Sequence, residues 1–87
     1  MISEMIIITN DTGLHARPAS VFVSTAAKFK SELMLRKGEK QINAKSIMGV
    51  LSLGITKGTE IIISAQGPDE KEAVSALVEL ARLNFNE

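Results

Sequence analysis

Lys57-Gly58-Thr59-Glu60-Ile61-Ile62-Ile63-Ser64-Ala65-Gln66-Gly67-Pro68-Asp69 is an isoleucine-rich run held between two groups of turn formers. A short β-branched run bounded in this way reads as a strand over Glu60–Gln66, and its apolar content places it inside a sheet. Beyond it, Asp69 and Glu72 have the spacing of a capping box, and Val74, Leu77, Val78 and Ala81 recur at helical intervals. A helix is expected to close the chain. Before it, Ser46 is placed to cap a short helix through Leu53 that Gly54 stops. Leu33 and Leu35 alternate with Glu32, Met34 and Arg36, and Lys37-Gly38-Glu39 turns the chain into Gln41-Ile42-Asn43-Ala44. That pattern is a hairpin with one strongly apolar face. Met5-Ile6-Ile7-Ile8 is a first strand, ended by the turn formers Thr9-Asn10-Asp11-Thr12-Gly13. Ala19, Phe22, Val23 and Ala26 then lie on one face of a helix. Because the residue before a proline avoids helical geometry, Arg17 is expected to cap this helix and Pro18 to begin it.

The order β-α-β-β-α-β-α, with apolar residues on one face of the strands, implies helices covering that face and water on the other. This is a two-layer α+β sandwich. The 87 residues leave room for one domain, expected over 1–87, that buries roughly 60% of the surface of its unfolded chain. Ten Lys and Arg balance ten Asp and Glu, so no global field draws the molecule to nucleic acid or an anionic membrane. The absence of cysteine excludes disulfides, a thiolate nucleophile and cysteine-ligated zinc. Met1-Ile2-Ser3-Glu4 is not a basic leader, and no run approaches the roughly 20 apolar residues of a membrane span. A cytoplasmic protein without direct membrane insertion is expected.

The single histidine lies in Gly13-Leu14-His15-Ala16-Arg17-Pro18-Ala19, between a turn and the first amphipathic helix. Helix N-termini present unpaired N–H groups and a partial positive charge, which stabilise an anion such as a phosphoryl group. The same positive end disfavours imidazolium, and the neutral ring is the nucleophile. Arg17 adds a planar fork that fits phosphate oxygens, a geometry that lysine lacks. A phosphoryl group on an imidazole nitrogen is held by an energy-rich P–N bond and suits a relay better than a terminal modification. On position alone, however, a lone histidine at a helix start is more often a polar cap or a solvated loop residue, and an arginine such as Arg17 a surface charge. With no second histidine and no cysteine, a zinc site lacks its ligand set, so no metal is expected. A hydrolytic triad has no Gly-x-Ser-x-Gly elbow to sit on. No cofactor is expected.

Gly13-Leu14-His15-Ala16-Arg17-Pro18-Ala19 closely resembles the active-site signature of the HPr family, the histidine-containing phosphocarriers of the bacterial sugar phosphotransferase system. Ala44-Lys45-Ser46-Ile47-Met48-Gly49-Val50-Leu51-Ser52-Leu53-Gly54-Ile55 resembles that family's regulatory-serine segment, at the expected distance and without a gap. Gly58–Ala65 and Gly67-Pro68-Asp69-Glu70 resemble its last strand and turn, so the likeness spans nearly the whole chain. It implies an open-faced β-sandwich, a four-stranded antiparallel sheet with three helices on one face, whose first helix starts just after His15. It implies that enzyme I, charged from phosphoenolpyruvate, phosphorylates His15 on Nδ1, and that the group passes to IIA components of sugar permeases. Arg17 would steady the phosphoryl group, and Thr12 or nearby backbone would orient the ring. Ser46 matches the site modified in the Gram-positive branch by an ATP-dependent HPr kinase/phosphorylase, a change that a transcriptional regulator reads. Met48-Gly49 resembles that branch rather than the enteric one, which usually carries Phe-Lys there.

Ile47, Met48 and Leu51 follow Ser46 on the short helix. Periodicity alone favours core packing for Ile47 and Leu51, while flexible Met48 suits an adaptable contact. The resemblance implies instead a flat apolar patch beside His15, with Ser20 at its rim, on which enzyme I and IIA proteins dock in turn; read alone, Ser20 is an ordinary solvated helix residue. Three rival functions fit less well. An RNA-binding module needs strand aromatics and a basic face, which the two isoleucine runs do not supply. A regulator that carries only phosphoserine would lack His15, and a stand-alone enzyme would need a substrate cavity. A monomeric carrier is the expectation.

Overall fold

The computed structural model describes residues 1–86. The elements are β1 (Ile2–Ile7), α1 (Ala16–Ala26), β2 (Glu32–Lys37), β3 (Lys40–Asn43), α2 (Ile47–Ser52), β4 (Glu60–Gln66) and α3 (Glu70–Arg82), followed by a 3₁₀ turn at Asn84–Asn86. The sheet runs β1-β4-β2-β3 with every neighbouring pair antiparallel. β4 therefore lies in the interior, paired with β1 from Ile2↔Ala65 to Ile7↔Glu60 and with β2 from Glu32↔Gln66 to Arg36↔Ile62. Its alternation sets the two layers. Ile61, Ile63 and Ala65 point with Leu33 and Leu35 into the core, while Glu60, Ser64 and Gln66 lie on the open face.

The helices bury complementary stripes: Pro18, Ala19, Phe22 and Ala26 of α1, Val50 of α2, and Ala73, Val74, Leu77 and Ala81 of α3. Val23 and Val78 flank this core half-buried. The observed architecture is thus the α+β open-faced sandwich, with three helices and a four-stranded antiparallel sheet. The first strand starts earlier than its apolar run suggests, because backbone pairing with β4 continues through the polar pair Ser3↔Ser64, whose hydroxyls lie 3.0 Å apart.

Two local expectations are corrected. α1 starts at Ala16 with His15 as its N-cap, the start that the family resemblance implies, and this places Pro18 at the third helical position rather than the first, as the proline rule had it. The first four N–H groups of a helix lack intrahelical acceptors, so proline removes nothing there either. The capping box at Asp69 does not form, although Asp69 is the N-cap of α3. Its carboxylate instead accepts the N–H groups of Lys30 and Ser31, at 2.8 and 2.9 Å, and the Ser31 hydroxyl at 2.5 Å. The side chain thereby joins the α1–β2 connection to the start of α3, and Glu70 takes up the local N–H of Gly67 at 3.2 Å.

This clasp makes stability depend on acid. The Ser31 hydroxyl, followed by the Lys30 N–H, lowers the Asp69 pKa to about 2. A carboxyl whose pKa falls on folding stabilises the native state above its unfolded value of about 3.9, and that contribution is lost as pH falls through the folded value. Urea midpoints are expected to drop between about pH 4 and pH 2, and to drop less steeply in Asp69→Asn. Parallel pH profiles for parent and variant would remove Asp69 from the acid response.

Candidate functional site

The loop between β1 and α1 is fixed before it reaches His15. The Gly13 N–H donates to the Asn10 carbonyl at 3.2 Å, and the buried Asn10 amide returns a bond to the Gly13 carbonyl at 2.8 Å. The same amide lies 3.4 Å from the Thr12 hydroxyl. Gly13 has φ +63°, and a Cβ placed on it would meet the Ile55 carbonyl oxygen at 2.4 Å and the Thr56 Cα at 2.7 Å. Only glycine allows both that backbone conformation and that approach. The Leu14 N–H then donates to the Ile55 carbonyl at 3.0 Å, and the Leu14 side chain enters the core.

His15 follows this anchored pair as the N-cap residue, with extended backbone (φ −91°, ψ −171°), and its carbonyl accepts the Ala19 N–H at 2.8 Å. Its side chain makes no cap bond, and no described residue hydrogen-bonds the exposed ring. Arg17 is exposed in the first turn, which holds no acidic residue, and its guanidinium forms no ion pair with a described residue. An imidazole that bonds no described residue, the positive end of a helix and a planar cation without an ion-pair partner among the described residues therefore share one turn. Such a site is suited to binding and covalently accepting a tetrahedral anion. No group of carboxylates and imidazole that could hold a metal occurs among the described residues.

The other expected residues lie on α1 and on α2 with its cap. Ser20 is exposed one turn along from Arg17 on α1, and α2 packs on α1. Ser46 caps α2, its Oγ accepting the Gly49 N–H at 3.1 Å. On α2 the core position falls to Val50, leaving Ile47 (37%), Met48 (76%) and Leu51 (41%) exposed. Lys37 supports the far end of the helix by donating to the Leu53 and Gly54 carbonyls at 2.9 and 3.3 Å. Sequence reasoning missed Asn10 and the seat of Gly13 on Ile55 and Thr56. The turn-forming cluster advertised a loop, but the contact partner is remote in the chain and carries no local signal.

The family model described as PTS HPr component phosphorylation site matches residues 2–82. The chain belongs to the HPr family. HPr is the phosphocarrier of the phosphotransferase system. The crystal structure of HPr-C-His from Thermoanaerobacter tengcongensis is 52% identical, with a TM-score of 0.97 over all of this chain and 98% of that one. An HPr dimer from the same organism matches with a TM-score of 0.81 at 52% identity, over the whole of both chains. HPr from Bacillus anthracis str. Ames is 40% identical, with a TM-score of 0.87 over 90% of this chain and 93% of that one. The Bacillus subtilis catabolite repression protein Crh, described as a domain-swapped dimer, is 43% identical, with a TM-score of 0.77 over 97% of each chain. No helix among the described residues is long and apolar enough to cross a membrane.

Proposed function

We propose that this HPr accepts a phosphoryl group on Nδ1 of His15 from enzyme I, with phosphoenolpyruvate as the ultimate donor, and passes it to the IIA components of sugar permeases. The observation that carries this reading is the exposed His15 ring at the α1 N-cap, unspent on capping, with Arg17 in the same turn and in no ion pair with a described residue. The Nδ1 lone pair attacks phosphorus as the bond between phosphorus and the donor breaks and its electron pair leaves with the donor, and the proton stays on Nε2. Arg17 and the first-turn N–H groups take up charge on the phosphoryl oxygens. The chain serves as a covalent way-station, a monomeric cytoplasmic carrier built as one HPr-like domain over 1–87. Incubation with enzyme I and phosphoenolpyruvate is expected to add one acid-labile phosphoryl group, read by intact mass. No adduct, or an acid-stable one, would overturn the reading.

Docking falls to Ile47, Met48 and Leu51, with Ser20 at the rim. Partners that must separate after each transfer call for a small contact; such transient interfaces bury less than about 1,200 Å². Met48→Asp places a charge on its most exposed residue. The Michaelis constant for enzyme I is expected to rise about tenfold, roughly 1.4 kcal/mol of docking, while stability stays within about 0.5 kcal/mol. A large fall in melting temperature would instead make Met48 part of the core.

Ser46 is the regulatory site in this reading, modified by an ATP-dependent HPr kinase/phosphorylase and recognised by a transcriptional regulator. Phosphorylation adds about −1.5 to −2 charges where the Gly49 N–H already bonds Oγ, so the helix start tolerates the anion. The cost falls on docking, because the dianion stands at the edge of the apolar patch and must be desolvated against enzyme I. Charging of His15 is expected to slow by about tenfold or more. Equal transfer rates for phosphorylated and parent protein, with matching circular dichroism, would leave Ser46 as a helix cap.

A further inference from the structure

After Arg82 the chain takes a course that local preference opposes. Leu83 is left 53% exposed, and Asn84 and Phe85 both adopt left-handed backbone, at φ +54° and +55°. Asparagine tolerates that region, but an aromatic residue stays there only when its surroundings hold it. The contacts that hold this turn fall on both sides of His15. Phe85, 2% exposed, stands edge-on to Phe22 of α1 with ring centroids 6.4 Å apart. Asn84 Oδ1 accepts a hydrogen bond from the Thr9 hydroxyl at 2.8 Å. Thr9 leads directly into Asn10, whose amide holds the Gly13 carbonyl, and Phe22 is the largest buried side chain of the helix that His15 caps.

We propose that Asn84 and Phe85 are positioning residues for phosphoryl transfer, clamping the loop before His15 through Thr9 and the helix after it through Phe22. This rests on the phosphocarrier role given to His15 above. Because no described residue bonds the ring, its place is set by the backbone around it, and that backbone is held from two directions by one turn. Transfer between two proteins needs an in-line approach, and displacement of the acceptor by about 1 Å can cost as much as a hundredfold in rate. The left-handed turn is the conformation that lets adjacent residues reach both anchors at once, with Leu83 left in solvent.

The test uses the full chain carrying Thr9→Val, Asn84→Gly or Phe85→Leu, with Asn84→Asp as the variant that keeps both the acceptor and the tolerance for positive φ. Asn84→Gly removes the bond without adding backbone strain. Two quantities are read: enzyme I phosphotransfer kinetics, and amide hydrogen exchange at Gly13 and Leu14. For the first three variants, kcat is expected to fall about three- to tenfold with the Michaelis constant for enzyme I unchanged, because the α2 patch is untouched. Exchange at Gly13 and Leu14 should quicken by about tenfold, while β4 keeps its protection. Thr9→Val/Asn84→Gly should be no worse than either single variant, and Asn84→Asp should restore parental values. Unchanged exchange at Gly13 and Leu14 overturns the clamp whatever the kinetics, and so does a change confined to the Michaelis constant. If enzyme I fails to charge the parent protein, the carrier reading falls, and the exchange data then decide the clamp by themselves.

Discussion

His15→Ala is expected to eliminate phosphoryl transfer from enzyme I while leaving the fold in place. The chain contains one histidine, so no second imidazole can take over the nucleophilic role. Arg17 and the helix end would still attract the phosphoryl group, yet without an acceptor nitrogen no P–N bond forms. The structural cost is small for a definite reason. His15 contributes its backbone to the start of α1 through the carbonyl that accepts the Ala19 N–H, whereas its side chain caps nothing and is exposed. Alanine keeps that carbonyl, and a surface change of this kind shifts stability by no more than about 0.5 kcal/mol. Labelled phosphoenolpyruvate with enzyme I, run beside thermal unfolding, separates the two effects. Label retained in the variant would move the acceptor elsewhere, and a collapsed melting temperature would show that the ring supports the fold.

What was legible in the residues follows from how local each cause is. Glu60–Gln66 announced itself because turn formers bound it and its isoleucines form a β-branched run, and the structure places it between β1 and β2. His15 was legible because glycine, a turn and an amphipathic face all adjoin it. The short helix was found through Ser46, but its inward residue was not, since Ile47, Val50 and Leu51 are equally apolar and the packing of α2 on α1 selects Val50. Asp69 had the right spacing for a cap, and a distant pair of N–H groups and a hydroxyl outcompeted the local one. Phe85 lay beyond the helical repeat, with no periodicity to mark it, and only the tertiary structure shows its ring against Phe22. The misses therefore share one origin: several local options were open, and a partner remote in sequence chose among them.

Gly13 shows the same dependence at the site itself, and its replacement by alanine is expected to have the largest combined effect on stability and transfer. A side chain at φ +63° incurs the left-handed penalty of about 1–2 kcal/mol. The added Cβ would also lie 2.4 Å from the Ile55 carbonyl oxygen and 2.7 Å from the Thr56 Cα, both backbone atoms with no rotamer to yield. Relief requires the loop to lift, which strains or breaks the Leu14 N–H bond to Ile55 and draws Leu14 out of the core. Overpacking of this kind adds about 1–3 kcal/mol, so the total is about 2–5 kcal/mol, a large share of a small domain's stability. Because His15 lies two residues later and no described residue tethers its ring, the same displacement should lower the transfer rate at least about tenfold in protein that remains folded. Gly38→Ala supplies the comparison. Gly38 has φ +59° in the β2–β3 turn, yet its Cβ would meet nothing within 4 Å. That variant should lose only the conformational part, about 1–2 kcal/mol, and transfer at the parental rate. Urea midpoints and enzyme I kinetics for both variants test the argument. Equal stability losses would remove the steric role of Ile55 and Thr56, and parental transfer by folded Gly13→Ala would show that the seat of this glycine does not place His15.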